Sequence, residues 1–554
     1  MTEAPAKKKS AGQTLRQAFT GRQEFAMLLL GFASGIPYVV VGGVLNAWLA
    51  KTGVKPTAIG LLSWIILAYT FKYMWAAALQ SRRTPFRLNI GPRRFWMVVF
   101  NVLCVLGLLV LSFSKPPDGL MFIGLVGIVI AIFSASFDIV QAAWKIESAQ
   151  NDKHLDLLCS IEMLGYRFSS FVVGAGGLVL ADFIGWQPTF IAAAVILALC
   201  VFGIFLAAPS PMADTPNTSF SNIDIGAHVP SKSRNIATLF VLGCWAVALY
   251  LLGSFMINGL GDPEAHSSRN FVRVKAPLVV FLTVIVLGLV AAVLIGQDGR
   301  EDAQSKPSTK NSILDIFYLA LIQPMMELIG RLRWASLLIL MLILSYRFTD
   351  LIWGSFAYVF YMGENYGALG HSLTEVGLAS KTVGVIATML GIGLGALAML
   401  KFGRMSVMFV GAILAAVTNL LFADLALGAP YMDAFLHTFR LDSFFAIWNV
   451  DLPMARLITA IFAENIAVGV ASAASVAFLS SIVNKKYAAT QYALLVSLTF
   501  LIGVLGRPAI GEIIEEAGFA RAFIICAWLG GVAVILTAAE WARQKRAEKQ
   551  KGPN

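Results

Sequence analysis

Windows of about twenty predominantly apolar residues recur along this chain from Phe25 to Trp541, separated by short polar stretches. A helix rising 1.5 Å per residue needs roughly 20 such residues to cross about 30 Å of hydrocarbon, where every backbone polar group must be satisfied within the segment. The 554 residues are 58% hydrophobic and 13% charged, with mean hydropathy +0.76, which is too apolar for the solvated surfaces of soluble domains. The expected fold class is an all-α polytopic membrane protein with no large soluble domain.

The apolar windows predict spans near 25–50, 57–80, 94–114, 119–144, 157–181 and 188–208. Two more, at 236–260 and 277–296, lie within a polar linker over 209–334. A final six fall near 335–361, 374–400, 404–427, 454–483, 488–513 and 519–541, giving about 14 spans. The predicted organisation is a tail over 1–24, a six-helix bundle over 25–208, the linker with its two extra central helices, a second six-helix bundle over 335–541, and a basic tail over 542–554. Two segments read as amphipathic rather than spanning. Residues 313–331 predict an interfacial helix, and 428–452, with Tyr431, Phe435, Phe445 and Trp448 among Asp433, His437, Arg440 and Asp442, predict an external insert.

Charge orients the chain. Lys and Arg total 42 against 31 for Asp and Glu, a formal charge of +11, and the excess clusters in particular loops. Lys7, Lys8 and Lys9, the group Arg82, Arg83, Arg87, Arg93 and Arg94, the pair Lys485 and Lys486, and the tail from Arg543 to Lys551 fall on one side of the predicted topology. The positive-inside rule therefore predicts cytoplasmic termini. Only the loop over 260–276, with Arg269, Arg273 and Lys275, is basic and assigned outside. No basic domain interleaved with aromatics is present, so nucleic-acid binding is excluded. The five cysteines are scattered without CxxC spacing, which indicates neither a disulfide framework nor a metal site, and no cofactor is expected. HExxH and GxSxG motifs are absent, against an embedded enzyme. The first apolar run is too long for a signal-peptide core and reads as a retained span.

Charge inside a span costs roughly 2.5–3.5 kcal/mol on insertion scales, so intramembrane polar residues are the functional candidates. In the first half these are Lys72, then Asp138 with Gln141 and Lys145 on one helical face at i+3 and i+7, then Glu162, Tyr166 and Arg167. In the second half they are Tyr346, Asp350 and Trp353, with Arg347 within reach of Asp350, followed by Lys381, Glu464, Asn465, Ser472, Ser475, Gln491 and Arg507. The five histidines fall in predicted loops, so proton coupling would use carboxylates, of which Asp138, Glu162 and Glu464 are best placed. Gly391, Gly393 and Gly395 and their neighbours offer close helix packing.

Gly91-Pro92-Arg93-Arg94 and Lys401-Phe402-Gly403-Arg404 open the third helix of each half, a weak internal repeat with a Gly-Arg turn like that of the major facilitator superfamily. Further stretches occur in family order: Gly31-Phe32-Ala33-Ser34-Gly35-Ile36-Pro37, Tyr69-Thr70-Phe71-Lys72-Tyr73-Met74-Trp75, Phe133-Ser134-Ala135-Ser136-Phe137-Asp138-Ile139-Val140, Leu164-Gly165-Tyr166-Arg167, Lys381-Thr382-Val383-Gly384, Glu464-Asn465 and Asn484-Lys485-Lys486-Tyr487. Together they resemble the AmpG-type muropeptide permeases of that superfamily. The resemblance implies a proton-driven, monomeric carrier of the bacterial inner membrane that imports GlcNAc-1,6-anhydroMurNAc and its peptides. Asp138, Glu162 and Glu464 are then the proton-coupling candidates. Lys72, Gln141, Tyr166, Arg167, Asp350, Lys381, Asn465, Gln491 and Arg507 are the substrate-binding candidates. The chain departs from the family pattern at Gln80, at Phe137 and at Gln141-Ala142-Ala143, where a second aspartate is usual. The alternative expectation is another carrier substrate, such as acetyl-CoA, a saccharide or a peptide.

Overall fold

The computed structural model describes residues 21–79, 90–150, 152–208, 229–262, 265–297, 313–484 and 488–550. Gln80, Arg82, Arg83, Arg87, Lys485 and Lys486, and the polar stretches 209–228 and 298–312, lie outside them. Among the described residues thirteen helices are long and apolar enough to cross a membrane. They are α1 (Arg22–Lys51), α2 (Pro56–Ala76), α3 (Pro92–Ser112), α4 (Leu120–Ser148), α5 (Ile161–Ile184), α6 (Trp186–Leu206), α7 (Ser231–Gly261), α8 (Ala276–Gly296), α9 (Ala335–Met362), α10 (Leu373–Phe402), α11 (Arg404–Ala426), α12 (Leu452–Ile482) and α13 (Gln491–Lys549). The 59-residue α13 is two helices meeting at Gly518, whose φ of 78° and ψ of 171° are not helical. That corner falls between the spans predicted to end at 513 and begin at 519.

Contacts gather the chain into two units, one within Met1–Val44, Leu79–Ser114 and Leu125–Ile223, the other within Leu45–Ala78, Lys115–Gly124 and Asp224–Asn554. In the first, α1 lies on α5 through paired glycines. A Cβ at Gly31 would lie 2.4 Å from the Glu162 carbonyl oxygen, and one at Gly165 would lie 2.3 Å from that of Leu28. The backbones touch because no side chain stands between them, the usual basis of close helix approach in lipid. Arg93, at the start of α3, is buried against α4, with Nε and a terminal nitrogen donating to the two Glu147 oxygens at 3.3 and 2.9 Å.

In the second unit α10 crosses α12 in the same way, with Gly391 against Ile466 and Gly469 against Thr388. Helix α2 packs on α13, where Gly60 meets Pro508 and Gly511 meets Thr57. Two carboxylates one turn apart on α13 take the first N–H groups of two other helices. Glu515 accepts from Thr57 N at 2.7 Å, while Glu512 accepts from Ser268 N and, at 3.0 Å, from Arg269 N at the start of the short helix Ser268–Val274. Carboxylates in these places neutralise otherwise unsatisfied donors and the positive helix end. Arg269 also pairs with Glu516, so the loop between α7 and α8 is tied to α13.

The internal repeat is visible in the backbone. Gly91 and Gly403 cap α3 and α11 in nearly the same conformation, φ 80° with ψ 150° and 160°, a left-handed φ that a side chain would strain. The segment predicted as an interfacial helix differs from expectation. It is helical over 313–332, but Tyr318 to Ile322 are all buried and it packs against α7, α8 and α13. Its continuous apolar run Tyr-Leu-Ala-Leu-Ile suits enclosure by protein, and the charged residues lie toward its two ends, Asp315 paired with Arg234 at one and Glu327 and Arg331 at the other. The 428–452 insert forms two short helices, Pro430–Thr438 and Leu441–Ile447, with Tyr431, Phe439 and Trp448 exposed and the two Asp433 oxygens accepting from Nε and one terminal nitrogen of Arg456 at 2.6 and 2.5 Å. His154 lies in the helix Asp152–Ser169 and His437 in the helix Pro430–Thr438, rather than in the predicted loops.

Candidate transport sites

Asp138, Gln141 and Lys145 share one face of α4, and the first unit folds α1 and α5 against that face. Ser34 Oγ, on α1, donates to Asp138 Oδ1 at 2.6 Å. Glu162, on α5, accepts from Gln141 Nε2 at 3.1 Å through one oxygen and pairs with Lys145 Nζ through the other. Tyr166 stands one turn beyond Glu162, its ring 6.1 Å from that of Tyr38. Gln141 is fully buried, and its Oε1 accepts no hydrogen bond among the described residues. The site thus holds two carboxylates, one cation and an amide on α4 and α5. Arg167 does not join it. It is exposed on the face of α5 that also exposes Leu164 and Phe171.

A second cluster lies in the other unit on α9, α10 and α12. Arg347 donates through Nε to Asp350 Oδ2 at 2.7 Å and through a terminal nitrogen to Ser472 Oγ on α12 at 2.5 Å. Asn465 Nδ2 donates to Glu464 Oε2 at 2.9 Å, and its Oδ1 accepts from Thr388 Oγ1 on α10 at 2.9 Å. Lys381 lies in a π-helical stretch of α10, Gly377–Val383, with its ammonium 5.7 Å from the Tyr358 ring centre. Glu464 interacts electrostatically with Asp350 and Arg347, and Tyr361 with Glu464. Asp350, Glu464, Asn465 and Lys381 are therefore parts of one polar region, and Tyr358, Tyr361 and Ser472 complete it. Tyr358 and Tyr361 carry no charge and sit in an apolar run, so nothing in the sequence separated them from ordinary core.

Three further candidates are placed elsewhere. Lys72 is half-buried at a one-residue interruption of the helix in α2. Arg507 is buried in α13 and donates through Nε to the Leu351 carbonyl at 2.9 Å. Gln491 is buried at the start of α13, donating to Pro324 O at 2.8 Å and Glu327 at 2.7 Å while accepting from Asn484 N at 2.8 Å. Its amide closes a clasp between the 313–332 helix and the loop before α13. Burial opposes ionisation of Glu327, but hydrogen bonds from Asn484, Gln491 and Arg331 together outweigh it and hold its carboxyl below the usual range. No group of three or more His, Cys, Asp and Glu able to hold a metal occurs among the described residues.

The arrangement of spans matches solved transporters. A POT family transporter in complex with a thioalcohol-conjugated peptide superposes with a TM-score of 0.61 at 14% identity, covering 96% of this chain and 99% of that one. The fold is that of the major facilitator transporters. No protein-family model matches the chain. The AmpG resemblance extends over nearly the whole length. The chain is 25% identical over 513 residues to the anhydromuropeptide permease of Escherichia coli (strain K12), covering 92% of this chain and 78% of that protein. It is 23% identical over 512 residues to putative transporter AmpG 4 of Rickettsia felis, covering 92% of this chain and 94% of that one. The chain thus has the multi-pass helical fold of these transporters and is similar along nearly its whole length to a permease.

Proposed function

We propose that this transporter is a proton-coupled symporter of the bacterial inner membrane that imports GlcNAc-1,6-anhydroMurNAc and its peptides into the cytoplasm by alternating access, with both termini cytoplasmic. The similarity to an anhydromuropeptide permease over 92% of the chain carries the reading. The chemistry of the two polar clusters supports it. Sugar hydroxyls and peptide amides suit Tyr166, Gln141, Asn465 and Tyr358, while Lys381 and the arginine of α9 offer cations to lactyl or peptide carboxylates. Asp138, Glu162 and Glu464 are carboxylates within spans, able to exchange a proton when a partner cation or solvent access changes. Lys72 and Arg507, in α2 and α13, are the remaining cations of the proposed pathway. Gln491 supports the α13 entry rather than binding substrate. Arg167, on its exposed face, is assigned no contact with the ligand.

The test is uptake of labelled GlcNAc-anhydromuramyl-tripeptide by proteoliposomes, with and without an inward proton gradient. Gradient-stimulated accumulation is expected. Saturable binding without stimulation would leave the substrate and remove the coupling, and absence of both, with folding verified, would remove the substrate.

A further inference from the structure

Helix α9 is interrupted at a charged residue. Its helical turns end at Tyr346, Arg347 adopts φ −102° and ψ 12°, helix resumes over Phe348–Trp353, tightens to a 3-10 turn at Gly354–Phe356 and continues to Met362. Inside a bilayer, irregular backbone is tolerated only against protein or a polar cavity, and interrupted spans are where transporters place ligands and ions. The interruption brings a guanidinium and a carboxylate three residues apart into a side-on pair. Arg347 Nε and a terminal nitrogen both reach the same Asp350 oxygen, Oδ2, at 2.7 and 2.5 Å. The other oxygen, Oδ1, is buried and accepts no hydrogen bond among the described residues. A guanidinium is built to hold two carboxylate oxygens through two parallel bonds, so this pair uses the fork incompletely. Ser472 on α12 holds the remaining terminal nitrogen at 2.5 Å and fixes the fork's orientation.

We propose that Arg347, steadied by Ser472, is the anchor for a carboxylate of the transported ligand, and that Asp350 is the group this carboxylate displaces and that then carries the proton. The inference rests on the proton-coupled import reading and deepens it. An incoming carboxylate takes both oxygens onto the fork, a better geometry than Asp350 achieves. Asp350, deprived of its cation in a low-dielectric span, takes a proton from the side on which the ligand entered. One negative charge and one proton move together, so the occupied site keeps the charge of the empty one. When the ligand leaves, Arg347 recaptures Asp350 and the proton is released. The charged and titratable groups around Asp350 are Arg347 and Tyr346 on α9, Glu464 on α12 and Arg507 on α13; α11 is uncharged between Arg404 and Asp424. The Tyr346 hydroxyl is occupied by the Met408 carbonyl at 2.9 Å and Glu464 by Asn465; of the nearby cations, Arg507 Nε donates to the Leu351 carbonyl, Lys381 lies over the Tyr358 ring, and Arg347 is the one bonded to Asp350.

The experiment compares wild type, Asp350→Asn, Arg347→Lys, Glu464→Gln and the neutral pair Arg347→Gln/Asp350→Asn in proteoliposomes, using GlcNAc-anhydromuramyl-tripeptide and its carboxyl methyl esters. Wild type is expected to take up about one proton per ligand bound, read with a pH indicator in weakly buffered medium. Asp350→Asn is expected to lose that proton uptake and gradient-driven accumulation while retaining counterflow. Arg347→Lys, which keeps the charge and loses the fork, is expected to weaken binding of the free acid by about tenfold, or about 1.4 kcal/mol, and that of the esters by less than about twofold. The neutral double variant removes the ion pair without leaving a lone charge, so it tests ligand discrimination even if a single variant misfolds. Accumulation by Asp350→Asn at the wild-type level, equal weakening of acid and ester by Arg347→Lys, or loss of proton uptake in Glu464→Gln with its retention in Asp350→Asn would each overturn the assignment. Wild type that neither binds nor accumulates the tripeptide would instead overturn the import reading, and this inference with it.

Discussion

Ser34 and Asp138 join α1 to α4 through a 2.6 Å hydrogen bond in which the serine hydroxyl donates to the carboxylate. On the same face of α4, two turns farther on, Lys145 pairs with Glu162 of α5. Asp138→Asn is expected to lose proton-driven accumulation and retain residual counterflow, and Ser34→Ala, which removes the donor to its carboxylate, to weaken accumulation. Unchanged accumulation by Asp138→Asn would remove it from the coupling role.

The Lys145–Glu162 pair makes a stability prediction. The side chains are 13% and 26% exposed, so removing one partner leaves a largely buried charge. Glu162→Gln is expected to cost about 3 kcal/mol, the lower end of the range for breaking buried pairs, and the double substitution Lys145→Met/Glu162→Met to recover most of it. Thermal melting of the detergent-solubilised protein measures both. Equal losses in the single and double variants would show that packing, not charge, holds α4 to α5.

Glu327 predicts an acid-sensitive clasp. Its carboxyl titrates lower in the folded protein than in the unfolded chain, so its contribution is fully present above the ordinary carboxylate range and is lost as pH falls through the lowered value. Glu327→Gln is expected to cost about 1–2 kcal/mol at neutral pH, because charge-assisted hydrogen bonds become ordinary ones. Its melting temperature should converge with that of wild type as the medium is acidified. Gln491→Leu should reproduce the neutral-pH loss, since it leaves Glu327 and the Pro324 carbonyl short of a donor.

Gly31 and Gly393 separate packing glycines from incidental ones. A Cβ at Gly31 would lie 2.4 Å from a carbonyl oxygen of α5, and the backbone there cannot rotate away as a side chain can. Gly31→Ala is expected to lose about 1–3 kcal/mol, as overpacked sites do. At Gly393 nothing lies within 4 Å, so Gly393→Ala is expected to be neutral or slightly stabilising through helix propensity. Melting curves of the two variants decide the matter, and equal effects would refute the crossing.

Most of the spans were legible in the residue order because length and apolarity are local properties that the bilayer alone converts into helices. The sequence placed separate apolar windows at 488–513 and 519–541, and the non-helical Gly518 of α13 falls between them. The same locality placed Gln141 and Lys145 on the face of Asp138, since i+3 and i+7 spacing fixes a face without any partner. Burial of the 318–322 run depends on what packs around the helix, and composition carries no information about that. Polar residues show the division most clearly. Asn465 and Gln491 look alike in sequence, yet tertiary packing sets the first against Thr388 of α10 and locks the second to Glu327 and Pro324. Arg167 and Lys145 are both cations near Glu162, yet only Lys145 meets it, because α5 turns Arg167 to the opposite face. The sequence by itself determined that this protein is a bundle of membrane-spanning helices carrying charges that lipid cannot solvate. That Arg347 could reach Asp350 was legible from their spacing, but that α9 breaks at Arg347 and that Ser472 of α12 holds its guanidinium was decided only by the tertiary structure, since that contact joins residues 125 positions apart that no local pattern relates.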